Sequence, residues 1–188
     1  MRTFIAIELP PEIKTAFGNI QAELKLARAD AKWVKPENIH LTMKFLGEID
    51  EALVEKIRSI LEEIARRNEP FELSLSELGA FPKLNYPRVI WVSITSGQQV
   101  AKIAEEIEKE TVKIGLPSES RPFSSHITLG RMRSGLNRTA LVEKINFLNS
   151  NLPSLKPEFK VRSLTLFKST LTPSGPIYEI LRTVSLFS

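Results

Sequence analysis

The chain contains no cysteine, which excludes disulfides, a catalytic thiolate and any metal centre built on thiolates. It has no apolar run approaching the roughly 20 residues that a membrane-spanning helix requires. A strand-like alternation starts at Thr3, so no charged segment followed by an apolar stretch reads as a secretion signal. A cytoplasmic protein with no membrane partner is expected. Charge of one sign is not in large excess either: 26 Lys and Arg face 22 Asp and Glu, a net charge of +4. That excess is compatible with a polyanionic partner without requiring one. No linker or low-complexity segment interrupts the sequence, and 188 residues suffice for one domain with a substantial core.

Histidine is almost missing as well, with two residues in the whole chain. Both occur in one short pattern, His40-Leu41-Thr42-Met43 and His126-Ile127-Thr128-Leu129. Apolar and polar residues alternate through each copy, which is the period of a β-strand with one buried face. His and Thr therefore share the other face. A single His-x-Thr is common by chance and is ordinarily a histidine satisfied in a half-buried strand; two copies that use every histidine reverse those odds. Two imidazoles and two hydroxyls converging on one cleft suit phosphate chemistry, with one imidazole as general base, the other as general acid, and the hydroxyls donating to phosphate oxygens. Zinc is disfavoured, because three or four ligands at characteristic spacing are missing.

The remaining pattern supplies a frame. Phe4 to Leu9 alternates as a strand that sends Ile5 and Ile7 to a helix layer, and Pro10-Pro11 stops it. Pro11 opens an amphipathic helix with Ile13, Phe17, Ile20 and Leu24 on one face. After the first motif strand, Gly47 marks its end and Asp50 is placed to cap a helix bearing Leu53, Ile57, Leu61 and Ile64. A strand with Phe71, Leu73 and Leu75 runs into an expected loop containing Gly79, Pro82, Asn85 and Pro87. Val89 to Ile94 then repeats the opening strand, a helix with Ile103, Ile107 and Ile114 follows up to a break at Gly115 and Pro117, and the second motif comes next. A further helix (Leu141, Ile145, Leu148) and strands near Val161–Phe167 and Tyr178–Leu186 complete the chain. Ile5 to His40 and Ile90 to His126 are nearly equal intervals, which predicts an internal duplication with approximate halves 1–87 and 88–188 in a single domain spanning 1–188. Pseudo-twofold symmetry would bring the two motifs together.

The segments Phe4-Ile5-Ala6-Ile7 with Pro10, Asn38 to Glu48, Val89-Ile90-Trp91, Phe123 to Arg131, and Ser169 to Pro173 resemble the two-histidine phosphoesterases, and within them the RNA 2',3'-cyclic phosphodiesterases also called 2'-5' RNA ligases. The resemblance covers nearly the whole chain. It implies an α/β (α+β) bilobal fold of two antiparallel sheets around a central cleft, with helices outside and one His-x-Thr motif per lobe. It also implies hydrolysis of RNA 2',3'-cyclic phosphate ends to 2'-phosphomonoesters, and joining of tRNA halves through a 2'-5' linkage, by a monomer without cofactor. By the same resemblance His40 is the proton donor and His126 the proton acceptor. Secondary substrate-binding candidates are Arg131, beyond Thr128 at the strand end; Phe4, whose face could stack on a base; Lys44, which shares the His40 face by alternation; and Ser169 and Thr170, in an expected polar loop rimming the cleft. The competing readings are a non-catalytic module that binds RNA ends or phosphate, and a related phosphodiesterase acting on a small cyclic phosphate or a 2'-5' oligonucleotide.

Overall fold

The computed structural model describes residues 1–95, 97–151 and 157–187. β1 (Arg2–Glu8) buries Ile5 and Ile7 in the main core, as its alternation predicts, while Phe4 and Ala6 on its other face pack with Phe167 in a separate small cluster. Pro11 starts α1 (Pro11–Lys25), where a missing backbone N–H leaves nothing unpaired, and the helix buries Ile13, Phe17, Ile20 and Leu24. β2 (Ala31–Trp33), a 3-10 turn at Pro36–Asn38 and β3 (His40–Glu48) follow. Gly47 does not end β3. It adopts φ +74° beside a bulge in the pairing with β1, a conformation that side chains rarely tolerate, and the strand continues one residue further. The Asp50 carboxylate accepts the N–H of Leu53 at 2.8 Å and caps α2 (Glu51–Arg66), a bond of a kind that contributes ~1 kcal/mol.

β4 (Phe71–Lys83) and β5 (Tyr86–Thr95) form a hairpin, so most of the expected loop around Gly79 and Pro82 is strand. Gly79 is there for space: a Cβ would lie 2.3 Å from the Trp91 indole that crosses it. α3 (Gly97–Lys113), β6 (His126–Met132), α4 (Arg138–Asn151), β7 (Glu158–Val161), β8 (Ser163–Thr172) and β9 (Gly175–Ser185) complete the chain. The strand expected at Val161–Phe167 is two strands in different sheets, with only Arg162 between them.

Two antiparallel sheets result, ordered β3-β1-β8-β9 and β2-β6-β5-β4-β7. Neither sheet is built from one contiguous stretch of the sequence. The short turn between β4 and β5 obliges those strands to pair, which carries β4 out of the first half into the second sheet. In return, β8 and β9 from the end of the chain complete the first sheet against β1. One continuous set of buried residues, from Ile5 to Leu186, joins both sheets and the four helices. No helix among the described residues is long and apolar enough to cross a membrane.

Candidate active site

The motif strands β3 and β6 lie in different sheets and approach within 8 Å between Cα atoms. Leu41 and Ile127 are fully buried in the shared core, so in each motif strand the His and the Thr look away from that core. All four are half-buried.

Each imidazole is fixed in the same way. His40 Nδ1 lies 2.7 Å from the carbonyl of Asn38, and His126 Nδ1 lies 2.9 Å from the carbonyl of Ser124. A carbonyl only accepts, so in both rings Nδ1 carries the proton and Nε2 is left for exchange with a ligand. Asn38 is itself held, its amide donating to the Pro176 carbonyl of β9 at 2.9 Å. Neither Thr42 nor Thr128 uses its hydroxyl in a hydrogen bond among the described residues, which leaves both as donors to a ligand.

Aromatic rings complete the walls. Phe4 stacks on His40 with centroids 4.7 Å apart, and Tyr178 meets the same imidazole edge-on at 5.3 Å. In the other lobe Phe81 and Trp91 approach His126 edge-on at 5.0 and 6.2 Å. Beside His40 a pocket of ≈ 370 Å³ opens between Lys14, Lys35, Ile177 and Tyr178. Burial pulls the His40 imidazolium from 6.5 down to about 4; its bond to Asn38 opposes the shift and the Lys14 charge adds to it. Burial also lowers His126, against its bond to Ser124 and with help from the Arg131 charge.

The secondary candidates divide. β1 meets β3 with a register shift: Ala6 faces Thr42 but Ile5 faces Lys44, so Met43 is an extra, unpaired residue. A bulge of this kind interrupts alternation. Lys44 is thereby turned off the motif face and is 3% exposed, with its ammonium paired to Glu108 of α3. Phe45 takes its expected place, exposed and 6.0 Å from Phe4 between centroids. β6 has the same irregularity at the same offset. Trp91 faces Thr128 and Ile90 faces Gly130, which leaves Leu129 unpaired and puts Arg131 on the motif face, exposed and near enough to depress His126.

Phe4 also departs from expectation. At 2% exposure, sandwiched between His40 and Phe167, it supports the imidazole and offers no face to a base. Ser169 and Thr170 belong to β8, paired with Tyr178 and Ile177, and not to a loop; Ser169 is half-buried and Thr170 exposed. Sequence reading missed Phe45, Phe81, Trp91 and Tyr178. Phe45 was hidden by the bulge, whereas Trp91 was legible from alternation as the residue between the core positions Ile90 and Val92 on a strand that repeats β1. Among the described residues no cluster of three or more His, Asp or Glu could hold a metal ion.

The family model described as "LigT like Phosphoesterase" matches residues 7–91 and again 92–178. Over 183 residues the chain is 36% identical to an RNA 2',3'-cyclic phosphodiesterase of Methanocaldococcus jannaschii, covering 97% of this chain and 99% of that one. It is 35% identical over 179 residues to an RNA 2',3'-cyclic phosphodiesterase of Methanothermobacter thermautotrophicus, covering 95% of each. The crystal structure of TT0787 of Thermus thermophilus superposes with a TM-score of 0.81 at 28% identity, covering 99% of this chain and 98% of that chain. E. coli LigT complexed with 3'-AMP gives a TM-score of 0.77 at 23% identity over 100% and 98% of the two chains, a likeness of fold. Two sheets meeting at paired His-x-Thr strands, a family model matched along most of the chain and relatives aligned end to end agree: this protein belongs to the LigT-like phosphoesterases of the two-histidine phosphoesterase superfamily.

Proposed function

We propose that this protein is an RNA 2',3'-cyclic phosphodiesterase that opens the cyclic phosphate to a 2'-phosphomonoester by two-histidine acid/base catalysis. The observation that carries this reading is the matched pair of imidazoles, each with Nδ1 tied to the carbonyl two residues before it, beside two threonine hydroxyls that no hydrogen bond among the described residues uses. The relatives that align over nearly their whole length are RNA 2',3'-cyclic phosphodiesterases.

In-line displacement puts the attacking water and the leaving 3'-oxygen on opposite sides of phosphorus, and each needs a proton partner. His126 Nε2 takes the proton from water, and His40 Nε2 delivers one to the 3'-oxygen. Thr42 and Thr128 donate to the non-bridging oxygens, where negative charge grows in the transition state. Arg131 on the motif face adds a fixed positive charge for the phosphate. In the free protein burial holds His40 mostly neutral at pH 7; the anionic phosphate raises its proton affinity on binding, and an acid made strong by burial is then a ready donor. A 5'-hydroxyl in place of water makes the same chemistry a 2'-5' ligation, with tRNA halves as substrates. On this reading the protein works as a cytoplasmic monomer.

His40→Ala and His126→Ala are each expected to lower turnover ~10²–10⁴-fold while the protein stays folded. Replacing the leaving 3'-oxygen by sulfur separates the roles, since a thiolate departs without a proton. The thio substrate should rescue His40→Ala and not His126→Ala. Rescue of His126→Ala alone would reverse the assignment, and near-normal turnover by either variant would remove the two-histidine mechanism.

A further inference from the structure

Both bulges in the motif strands are gripped from a helix that follows the other sheet's strand. α1, which follows β1 of the first sheet, carries Gln21, a polar residue at 1% exposure. Its amide donates to the carbonyl of Leu129 at 2.9 Å and to that of Val34 at 2.7 Å, using both N–H groups. Leu129 is the residue of β6 that has no partner in β5, and its carbonyl also accepts the backbone N–H of Val34 at 2.9 Å. α3, which follows β5 of the second sheet, carries Glu108, whose carboxylate pairs with Lys44 immediately after the unpaired Met43 of β3. The Lys44 ammonium also donates to the Pro117 carbonyl at 3.0 Å, and Glu108 accepts the backbone N–H of Glu119 at 2.9 Å. Burial works against ionisation of Glu108, but Lys44, that N–H and the Ser118 hydroxyl hold the carboxyl below its usual range. The two helices correspond: aligning buried Ile13, Phe17, Ile20 and Leu24 with Val100, Ala104, Ile107 and Thr111 puts Gln21 on Glu108.

We infer that Gln21 and the Lys44–Glu108 pair are positioning residues, two reciprocal struts that set where the His40/Thr42 strand stands relative to the His126/Thr128 strand. The inference rests on the two-histidine reading of the cleft. A bulge loosens the ladder and re-aims the side chains beside it, so an anchor at the bulge fixes the direction in which the flanking histidine and threonine point. Stability alone does not account for a buried lysine, because apolar residues of similar volume commonly serve at least as well. Geometry does: acid and base must straddle one phosphate, and a displacement of about 1 Å can cost ~10²-fold in rate.

The test uses Lys44→Met/Glu108→Leu, which removes the pair without stranding a charge, and Gln21→Asn, which retracts the amide by one methylene. For each, kcat is expected to fall about tenfold to a hundredfold with KM for a 2',3'-cyclic-phosphate-ended oligonucleotide within about threefold of wild type, at temperatures where the variant is fully folded. Lys44→Arg, which keeps the pair, should retain most of the turnover. With only two histidines, imidazole ¹⁵N resonances give a second readout. Inorganic phosphate should shift both rings at one half-saturating concentration in the wild type and at two different ones in the variants. Wild-type kcat in folded variants, or lost turnover with both rings still responding together, would overturn the struts. Should the double variant not fold, Gln21→Asn decides alone. A wild type that binds phosphate at both rings yet turns over no cyclic phosphate would instead defeat the catalytic reading and leave the struts to the resonance experiment.

Discussion

Holding a neutral imidazole against Phe4 and Tyr178 has a thermodynamic cost that pH exposes. Folded His40 gains a proton only near pH 4, whereas in the unfolded chain it does so near 6.5. Between those values the unfolded state binds more protons, so stability rises with pH across the interval and falls as pH drops from about 6.5 to about 4. At ~1.4 kcal/mol per pKa unit the full loss from this one residue is about 3 kcal/mol, equivalent to roughly 6–12 °C of melting temperature for a domain of this size. His40→Asn isolates the effect, because its amide can still donate to the Asn38 carbonyl and cannot titrate. Urea unfolding of both proteins at half-unit steps from pH 7.5 to 4 should give stability curves that diverge by that amount, the wild type falling more steeply. All other groups, His126 included, are shared and cancel in the difference. Parallel curves would show that His40 is not desolvated in the free protein and would refute the reasoning from its aromatic surroundings.

The same desolvation predicts where the enzyme works best. The optimum of kcat/KM, which reports the free protein, should lie below pH 6.5, and that of kcat should lie at higher pH because the bound phosphate raises both imidazoles; coincident optima would contradict it. Thr42→Val and Thr128→Val should each lower kcat by about 2–4 kcal/mol of transition-state stabilisation with little change in melting temperature. Full activity in both would make the threonines strand formers only. Gly79→Ala drives a methyl into the Trp91 indole, which stands against His126, and should cost about 1–3 kcal/mol of stability together with turnover; an unchanged melting temperature would mean that the ring has room to move.

Strand alternation carried the reading of the site as far as the bulges and failed there. His40 and Thr42, like His126 and Thr128, precede the extra residue and share a face as the period of two requires. Lys44 follows it and is turned to the other side, while Phe45 and Arg131 are turned in. No local pattern marks Met43 or Leu129 as unpaired, since a bulge is a property of two strands and not of one. Helix ends were readable because their chemistry is local: Pro11 opens α1 and Asp50 caps α2 where expected. The burial of Phe4 was not, because Phe167, which covers it, comes from the far end of the chain. For the same reason the repeat in the sequence concealed the exchange of β4 against β8 and β9.

That exchange also fixes an order of assembly. Thr3, near the start of the chain, pairs with Lys168, and β1 lacks one of its two neighbours until β8 is made. The second sheet takes all its strands from residues 31–161 and can form first during synthesis. β1 is made well before β8 yet is completed only with it, holding an unpaired edge in the meantime, and contacts of such long separation slow folding. A chain cut short before β8 therefore keeps both histidines and has only one finished wall to hold them against.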